Sequence, residues 1–412
     1  MFLNQLNKEL EANFSETVDW RRHLHEHPEP SFEEYQTRRF IVQRLKECGY
    51  QDIQEEVGGG GIVAYLRGEA EGPTIGFRAD FDALRIQEET GLPFASQNPG
   101  VMHACGHDGH TAILLSVAKA LLPYKDKLAG TVKFIFQHAE EVLPGGGHAM
   151  VKDGVLDDVD AVYGLHLRSP LEYGTVSYCP GYAMAAPDFF RITVQGKGGH
   201  AAHPDTTVDS VVVASYLVNQ LQSLVSRQKD PKQSAVLTVS SLRAGDGAHN
   251  VIADKAELRG TVRTFDAGVR NMMEDKLTTL SQTICEAHGA SAEVTYERGY
   301  PALYNPIEET ERIKDIFEQQ LTGILVEQTP MRMGGEDFAY FLQKKPGSYF
   351  FIHSGNKEKG IVYPHHHPKF DFDERALLLG AKCFVAIVDD YLVPKPSSLV
   401  EASSEAVKPH HS

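Results

Sequence analysis

The stretch TVKFIFQHAEE (Thr131–Glu141) decides the fold, because a run of apolar and β-branched residues ends abruptly in a polar turn. Its first seven residues, Thr131–Gln137, are typical of a buried strand. A helical pattern covers Thr111–Leu122, just before this strand. Strands that alternate with helices predict an α/β fold with a mostly parallel sheet and helices on both faces. Further short strands are predicted at Ile62–Leu66, Thr74–Phe77 and Ala161–Leu165.

A second pattern interrupts the first. From Phe189 the elements read strand, helix, strand, strand, helix, strand, which is typical of a small ferredoxin-like α+β unit. The α/β pattern resumes after Gly299 and ends in a helix near 373–391. We therefore predict that the smaller unit is inserted into the larger one. The predicted segments are 1–183 (larger domain, first part), 184–298 (inserted domain), 299–392 (larger domain, second part) and 393–412 (disordered tail).

Length, charge and cysteine usage bound the class of protein. A chain of 412 residues exceeds a usual single core, so two domains are expected. The net charge of −16 argues against nucleic acid as a partner, because no basic stripe is available to replace phosphate counterions. Five cysteines without dense spacing are typical of reduced thiols inside a cell. We find no signal peptide and no membrane-spanning run, and expect a cytoplasmic protein.

A possible metal site begins in the run HACGHDGH (His103–His110), where Cys105 and His107 are two residues apart. A thiolate and an imidazole at a strand-to-helix turn can converge on one divalent cation. An isolated pair of this kind is more often a buried cysteine beside surface histidines. Other residues of ligand type must therefore decide between the two interpretations.

Residues of ligand type also follow two further strands. Glu140 and Glu141 come shortly after Thr131–Gln137, and His166 comes directly after Ala161–Leu165. Adjacent carboxylates at a strand end point in different directions, so one can bind metal while its neighbour holds a water for general-base work. The alternative for the glutamates is a solvated acidic loop. Consecutive α/β units that deliver such residues to one sheet edge predict a metal site there.

Two later segments and one earlier acid could complete the site. The run His365-His366-His367 could supply a missing imidazole, or it could be a polar loop that is rich in histidine by accident. Asp80 could orient a ligand histidine, or simply pair with Arg78. The run Gly334–Phe338 opens a helix, so its amides could bind an anion or its acids could lie near the metal.

Polar residues of the inserted unit are candidates for substrate binding. His200 lies in the glycine-rich stretch Gly196–Pro204 and could face a cleft, or it could merely cap the next helix. Asn250, Arg259 and Arg263 lie on or near neighbouring strands. Their side chains could donate hydrogen bonds to a substrate carboxylate or to an oxyanion.

Together these motifs resemble those of the dinuclear-metal aminoacylase and carboxypeptidase-type amidohydrolases, over about Val18–Tyr391. Within them, the chain is most similar to the branch of hippurate hydrolase, N-acyl-amino-acid deacylases and auxin-conjugate (IAA-amino acid) hydrolases. The resemblance rests on Arg78–Leu84, Cys105–His110, Glu140-Glu141, Gly164-Leu165-His166, Gly198-Gly199-His200, Gly260–Arg263, Gly335–Phe338 and the His-x-Pro before Phe370.

The resemblance implies a zinc-peptidase-like catalytic domain with two divalent metal ions per subunit (Mn, Zn, Co or Ni) and an inserted lid or dimerisation domain. It also implies that Glu140 is the general base, that Asp80 supports the metal ligands, and that His200 polarises the scissile carbonyl in its own or a partner subunit. The implied metal ligands are Cys105, His107, Glu141, His166 and His366, with His365 and His367 as alternatives to the last.

The expected function is hydrolysis of the amide bond of N-acyl amino acids, with N-acetyl or N-aroyl groups. A small-peptide carboxypeptidase or dipeptidase, or an N-acetyl-diaminopimelate deacetylase, would share the machinery and differ in the pocket lining. A catalytically inactive metal-binding or ligand-binding protein is disfavoured, because Glu140 and all the ligand positions are present. We expect a small-molecule substrate, no nucleic acid or membrane partner, and a homodimer formed through the lid domain.

Overall fold

The computed structural model describes residues 2–394. Within that range it contains an eight-stranded sheet, a four-stranded sheet and two short two-stranded pairs. Among the described residues, no helix is both long enough and apolar enough to cross a membrane. The tail that we predicted to be disordered lies outside the described residues from position 395 onward.

The first part of the chain opens with helices and then alternates strands with helices. The third helix ends at Gly49, whose φ of +108° is a left-handed conformation that glycine adopts without strain. The elements are α1 (Phe2–Ala12), α2 (Phe14–Glu26), α3 (Tyr35–Cys48), β1 (Ile53–Val57), β2 (Gly61–Arg67), β3 (Ala70–Asp80), α4 (His107–Leu121), β4 (Ala129–Gln137), α5 (Gly146–Lys152), β5 (Ala161–Glu172), β6 (Thr175–Tyr178) and β7 (Gly181–Met184).

The inserted part and the last part follow the predicted order of elements, with a few short strands in addition. The inserted part contains β8 (Ala186–Gln195), β9 (Gly199–His200), α6 (Ser210–Ser223), β10 (Ala235–Ala244), β11 (Val251–Ile252), β12 (Lys255–Thr264), α7 (Ala267–Ala287) and β13 (Ser291–Arg298). The last part contains β14 (Leu303–Asn305), α8 (Ile307–Gln320), β15 (Leu325–Gln328), α9 (Ala339–Leu342), β16 (Gly347–Gly355) and α10 (Arg375–Leu392).

The eight-stranded sheet is mixed, with a parallel centre. Its order is β1-β2-β4-β3-β5-β16-β6-β15. The central strands β4, β3, β5 and β16 run parallel, as do β6 and β15. Antiparallel pairing joins β1 to β2, β2 to β4, and β6 to β16. The predicted α/β fold with a mostly parallel sheet is confirmed.

Alternate residues of each strand face opposite sides of the sheet, and both sides of this sheet are buried. In β4, Phe134 and Phe136 belong to a hydrophobic cluster that also contains residues of α4 and α10. Ile135, between them, belongs to a separate cluster with Phe338 and Tyr349. The helix α4 is buried along almost its whole length, since α2 and α10 pack against it. Its N-terminus is therefore held rigidly at the sheet edge.

The inserted part forms its own sheet, in the order β10-β12-β8-β13, with every pair antiparallel. This is the strand order of a ferredoxin-like fold, as predicted. Residues of α6 and α7, among them Leu217 and Met273, pack on one face of the sheet together with Leu258. The opposite face carries polar side chains such as Arg191 and Arg259, which are exposed.

A buried ion pair joins the two points where the chain crosses between the sheets. Asp188, near the start of β8, is fully buried and accepts hydrogen bonds from the guanidinium of Arg270 on α7, at 3.0 Å from Nε. The same carboxylate accepts from the Tyr296 hydroxyl (2.8 Å) and from the backbone N–H of Gly299 (3.1 Å). Because the chain enters the insertion near Asp188 and leaves it at Gly299, this one carboxylate connects both crossings.

Replacing Asp188 with alanine should destabilise the protein by about 3–5 kcal/mol, because the Arg270 guanidinium loses its partner in a buried setting. The measurement is the free energy of unfolding from chemical denaturation. Glu274→Ala is the matched control, since Glu274 pairs with Arg298 close by but is partly exposed, and its loss should cost less than about 1 kcal/mol. Equal effects of the two substitutions would contradict this assignment.

Candidate active site

Most of the predicted metal-site residues lie at or near the carboxyl ends of the parallel strands. In the register of the sheet, Asp80 at the end of β3 pairs with Gln137 at the end of β4, and Arg78 pairs with Gly164 on β5. The loop after β4 carries Glu140 and Glu141 to this edge, and His166 lies in β5. The helix α4 begins here as well, after Gly106, whose φ of +93° places it in the left-handed region.

A first group of ligand-type atoms consists of Cys105, His107 and Glu141, which all lie within 4.8 Å of one another. The Nδ1 atom of His107 lies 3.1 Å from Asp82 Oδ1, so it donates to that acid and leaves the Nε2 lone pair free. Nε2 is buried, lies 3.9 Å from Glu141 Oε1, and has no hydrogen-bond partner among the described residues. An orphaned imidazole nitrogen beside a thiol and a carboxylate fits a divalent cation.

The electrostatics of His107 also fit a cation. Burial opposes protonation of this imidazole, but the carboxylates of Asp80 and Asp82 more than offset burial and raise its pKa to about 10. The acids around His107 therefore stabilise a positive charge at this position. A divalent cation can take the place of that proton.

A second group consists of Cys105, His166 and His365, again within 4.8 Å of one another. Cys105 Sγ lies 3.5 Å from His166 Nε2, while His166 Nδ1 lies 2.6 Å from the Leu167 carbonyl and donates to it. The Nδ1 atom of His365 is buried without a hydrogen-bond partner in the described part of the chain. Cys105 belongs to both groups, so its sulfur would be available to a cation held by either group.

The three consecutive histidines near the C-terminus lie in different surroundings. His365 faces Cys105 and His166, with its ring centroid 5.0 Å from that of His166. His366 Nε2 lies 3.2 Å from Glu141 Oε1, and its backbone has a left-handed φ of +65°. His367 stacks on the ring of Tyr363 at 4.4 Å and does not line the cavity described below. The structure therefore brings His365 and His366 to the site, and not His367.

Asp80 contacts His110, which is not one of the implied metal ligands. Its Oδ1 lies 2.6 Å from His110 Nδ1 and its Oδ2 lies 2.6 Å from Arg78 Nη1, while His107 Nε2 is 3.8 Å away. The acid that bonds His107 is Asp82, two residues further along. His110 also accepts a hydrogen bond from the Leu167 N–H, so both of its ring nitrogens are engaged. Asp80 thus forms an ion pair with Arg78 and, through its contact with His110, supports the start of α4.

Glu140 lies in a buried cluster of acids with Glu336 and Asp337, all within 4.8 Å of one another. Burial, together with the neighbouring carboxylates of Glu336 and Glu141, raises the pKa of Glu140 well above its usual range. The Tyr300 hydroxyl donates to the backbone carbonyl of Glu140 and holds the loop in place. A carboxylate in this setting can accept and release a proton.

A cavity of about 510 Å³ opens onto both ligand groups and lies between the two sheets. The larger sheet contributes Glu140, Glu141 and His166, and the inserted part contributes Phe189 and Arg263. A cavity of this size is typical of a small-molecule site. The remaining residues named above that line it are Cys105, Tyr300, Glu336, His365 and His366.

The other candidates of the inserted part do not line this cavity. His200 is exposed on β9, where it pairs with Val251 of β11, and Asn250 lies next to that pair. Arg259 and Arg263 share one face of β12, but four residues separate them by about 13 Å along the strand. Arg263 therefore reaches the cavity, while Arg259 is exposed and pairs with Glu257 at 2.7 Å.

Sequence reasoning missed several residues that the structure places at the site. Arg168 and Arg332 line the cavity, and Asp82 bonds His107. Two of these carried a signal: Arg168 follows His166 by two positions on one strand, and Asp82 belongs to the same motif as Asp80. The sequence around Arg332 contained no such signal, because only the fold brings the loop that carries it to the cavity.

Comparison with known proteins identifies the family. The sequence profile of Peptidase family M20/M25/M40 matches residues 76–390. The Bacillus subtilis protein YhaA is 46% identical over 388 residues, which cover 94% of this chain and 97% of the relative. An N-acyl-L-amino acid amidohydrolase of Geobacillus stearothermophilus is 46% identical over 291 residues (71% and 78%), and a thermostable carboxypeptidase of Saccharolobus solfataricus is 39% identical over 383 residues (91% and 96%).

Solved structures agree with these relatives. The crystal structure of the Bacillus subtilis YXEP protein, described as a dinuclear metal binding peptidase from the M20 family, superposes with a TM-score of 0.79 at 34% identity. The match covers 92% of this chain and 98% of that one. The resemblance predicted from the motifs is confirmed, and the chain belongs to peptidase family M20/M25/M40.

Proposed function

We propose that this protein is a metal-dependent amidohydrolase that cleaves the amide bond of N-acyl amino acids to a carboxylate and a free amino acid. The observation that carries the proposal is one sulfur, Cys105 Sγ, shared by two groups of ligand-type atoms in a cavity that Glu140 also lines. The Geobacillus relative bears this activity in its name.

The proposed ligands of two divalent cations are those implied by the motifs. Cys105 belongs to both groups; His107, Glu141 and His366 lie around the first, and His166 belongs to the second, where His365 is the additional imidazole. Cations bound here would lower the pKa of a water molecule and polarise the scissile carbonyl. Thiolate, imidazole and carboxylate donors accept Mn, Zn, Co or Ni.

The residues of the chain then carry the proton transfers. The Glu140 carboxylate removes a proton from the attacking water as the new C–O bond forms, and it delivers that proton to the leaving nitrogen as the C–N bond breaks. His200 donates a hydrogen bond to the oxyanion, and Arg263 holds the substrate carboxylate. Asp80 acts through its contacts with Arg78 and His110, which hold the start of α4.

A carboxypeptidase is the second candidate, because the Saccharolobus relative bears that name and the same residues would cleave a peptide bond. We further propose a cytoplasmic homodimer, joined through the inserted part. Support comes from the position of His200, which is exposed and outside the cavity of its own subunit. In a dimer, this histidine can reach the cavity of the partner.

Replacing Glu140 with glutamine should lower kcat by roughly a hundredfold to ten-thousandfold, since the general base is lost. The metal content, measured by mass spectrometry of the purified protein, should stay the same because Glu140 belongs to neither ligand group. Glu327→Gln, on the exposed face of β15, is the control. Near-normal turnover by Glu140→Gln on N-acyl amino acids would refute the assignment.

Removing metal with a chelator should abolish activity, and adding back Mn, Zn, Co or Ni should restore it to different degrees. Cys105→Ala should bind fewer than two ions per subunit, because its sulfur belongs to both groups. Cys179→Ala is the matched control, since Cys179 is also buried but donates to the Tyr182 carbonyl. A Cys105→Ala protein that holds two ions as tightly as the parent would contradict the shared ligand.

Mixing two inactive variants tests which subunit His200 serves. Glu140→Gln and His200→Ala proteins, refolded together in equal amounts, should regain roughly a quarter of normal activity, because half of the dimers would contain one complete site. Each variant refolded alone is the control. Absence of recovery in dimers verified by light scattering would assign His200 to its own subunit.

A further inference from the structure

Three arginines line the cavity without an acidic partner. Arg168, Arg263 and Arg332 all contribute to its wall, and none of them forms a salt bridge with a carboxylate within residues 2–394. By contrast, the fully buried Arg21 and Arg78 each contact several carboxylates. In a chain with a net charge of −16, unpaired cations that converge on one cavity require an explanation.

Two of these guanidinium groups stand against the same aromatic ring. The Cζ atom of Arg332 lies 5.5 Å from the centroid of Phe351, and that of Arg168 lies 5.7 Å from it. Arg168 Nη1 donates to Thr329 Oγ1 at 3.1 Å. The Nε atom of Arg332 is buried and has no hydrogen-bond partner in the described part of the chain, and burial lowers the pKa of this guanidinium. Both groups therefore retain N–H donors that can serve a ligand.

Acidic and basic side chains both line the cavity. The acids are Glu140, Glu141 and Glu336, and no salt bridge within the described residues joins any of them to the three arginines. An N-acyl amino acid with a single carboxylate needs only one arginine, and Arg263 supplies it. Arg168 and Arg332 then remain as a pair of planar donors, which is the geometry that carboxylate oxygens prefer.

Resting on the proposed function, we infer that Arg168 and Arg332 form a second carboxylate subsite, and that the preferred substrates are N-acyl amino acids with two carboxylates. The second carboxylate can belong to the amino-acid side chain or to the acyl group. Both sources present the same chemistry to the arginines, so the experiment must separate them. Phe351, whose ring lies near both guanidinium groups, supplies an apolar surface for the methylenes that carry this carboxylate.

The test compares substrates that differ only in this charge. One pair is N-acetyl-L-glutamate and N-acetyl-L-glutamine, and the other is N-succinyl-L-alanine and its terminal amide. The metal-loaded parent enzyme should favour the acidic member of at least one pair by roughly tenfold to a hundredfold in kcat/KM, mainly through KM. The pair that shows this preference identifies which half of the substrate carries the second carboxylate.

Substitutions then locate the subsite. Arg332→Gln and Arg168→Gln should each move the acidic-to-neutral ratio of kcat/KM towards one, while Arg332→Lys should retain part of the preference because it keeps the charge but loses the planar fork. Arg67→Gln is the matched control, since Arg67 is exposed on β2 and pairs with Asp52. Its ratio should equal that of the parent. Thermal unfolding of each variant verifies that it is folded.

The outcomes separate this inference from the proposed function. If the parent enzyme cleaves the neutral and acidic members of both pairs equally well, the second subsite is wrong and the proposed function stands. If it cleaves no N-acyl amino acid at all, the proposed function fails and the inference falls with it. If the preference exists but neither glutamine variant changes the ratio, Arg168 and Arg332 do not form the subsite.

Discussion

The site depends on one buried cation, the guanidinium of Arg78. It donates to Asp80 at 2.6 Å, to Asp337 at 2.8 Å and to the Gln137 side chain at 2.8 Å, and it lies 3.1 Å from Glu336. So many acids could not be buried together without a counter-charge. The guanidinium outweighs burial at Asp80, whose pKa falls well below its usual range, whereas at Asp337 burial outweighs the guanidinium and raises the pKa to about 8.

A second buried arginine, Arg21, is the counter-charge for acids near the start of α4, the helix that begins at His107. Arg21 donates to Asp108 and to Asp371, each at 2.8 Å, and lies 3.3 Å from Glu374. Both arginines come from the first part of the chain, and both bind acids that follow the insertion. These ion pairs therefore connect the two separated parts of the larger unit, and they hold the start of α4 and the acids around it in fixed positions.

Much of the fold could be predicted because its signals are local. The apolar runs of β3, β4 and β5, and the strand-helix order of the inserted part, depend on neighbouring residues alone. Short strands such as β6 and β15 gave no such signal, since four residues carry little periodicity. The site was predictable only to the level of motifs. Glu140 and His166 follow predicted strands, but Asp82 was missed, and only the folded chain shows that it contacts His107 while Asp80 contacts His110.

The sequence by itself determined the residue types, their order and the family, because each motif combines ligand-type residues with a strand end. The tertiary structure decided which of these residues meet. It brought His365 and His366 to Cys105 and Glu141 and left His367 outside, since that loop is positioned by the hydrogen bond from His366 N–H to the Ala104 carbonyl. It also brought Arg168, from β5, and Arg332, from the loop after β15, to one aromatic ring. Such contacts arise from packing over long separations, which no local pattern encodes.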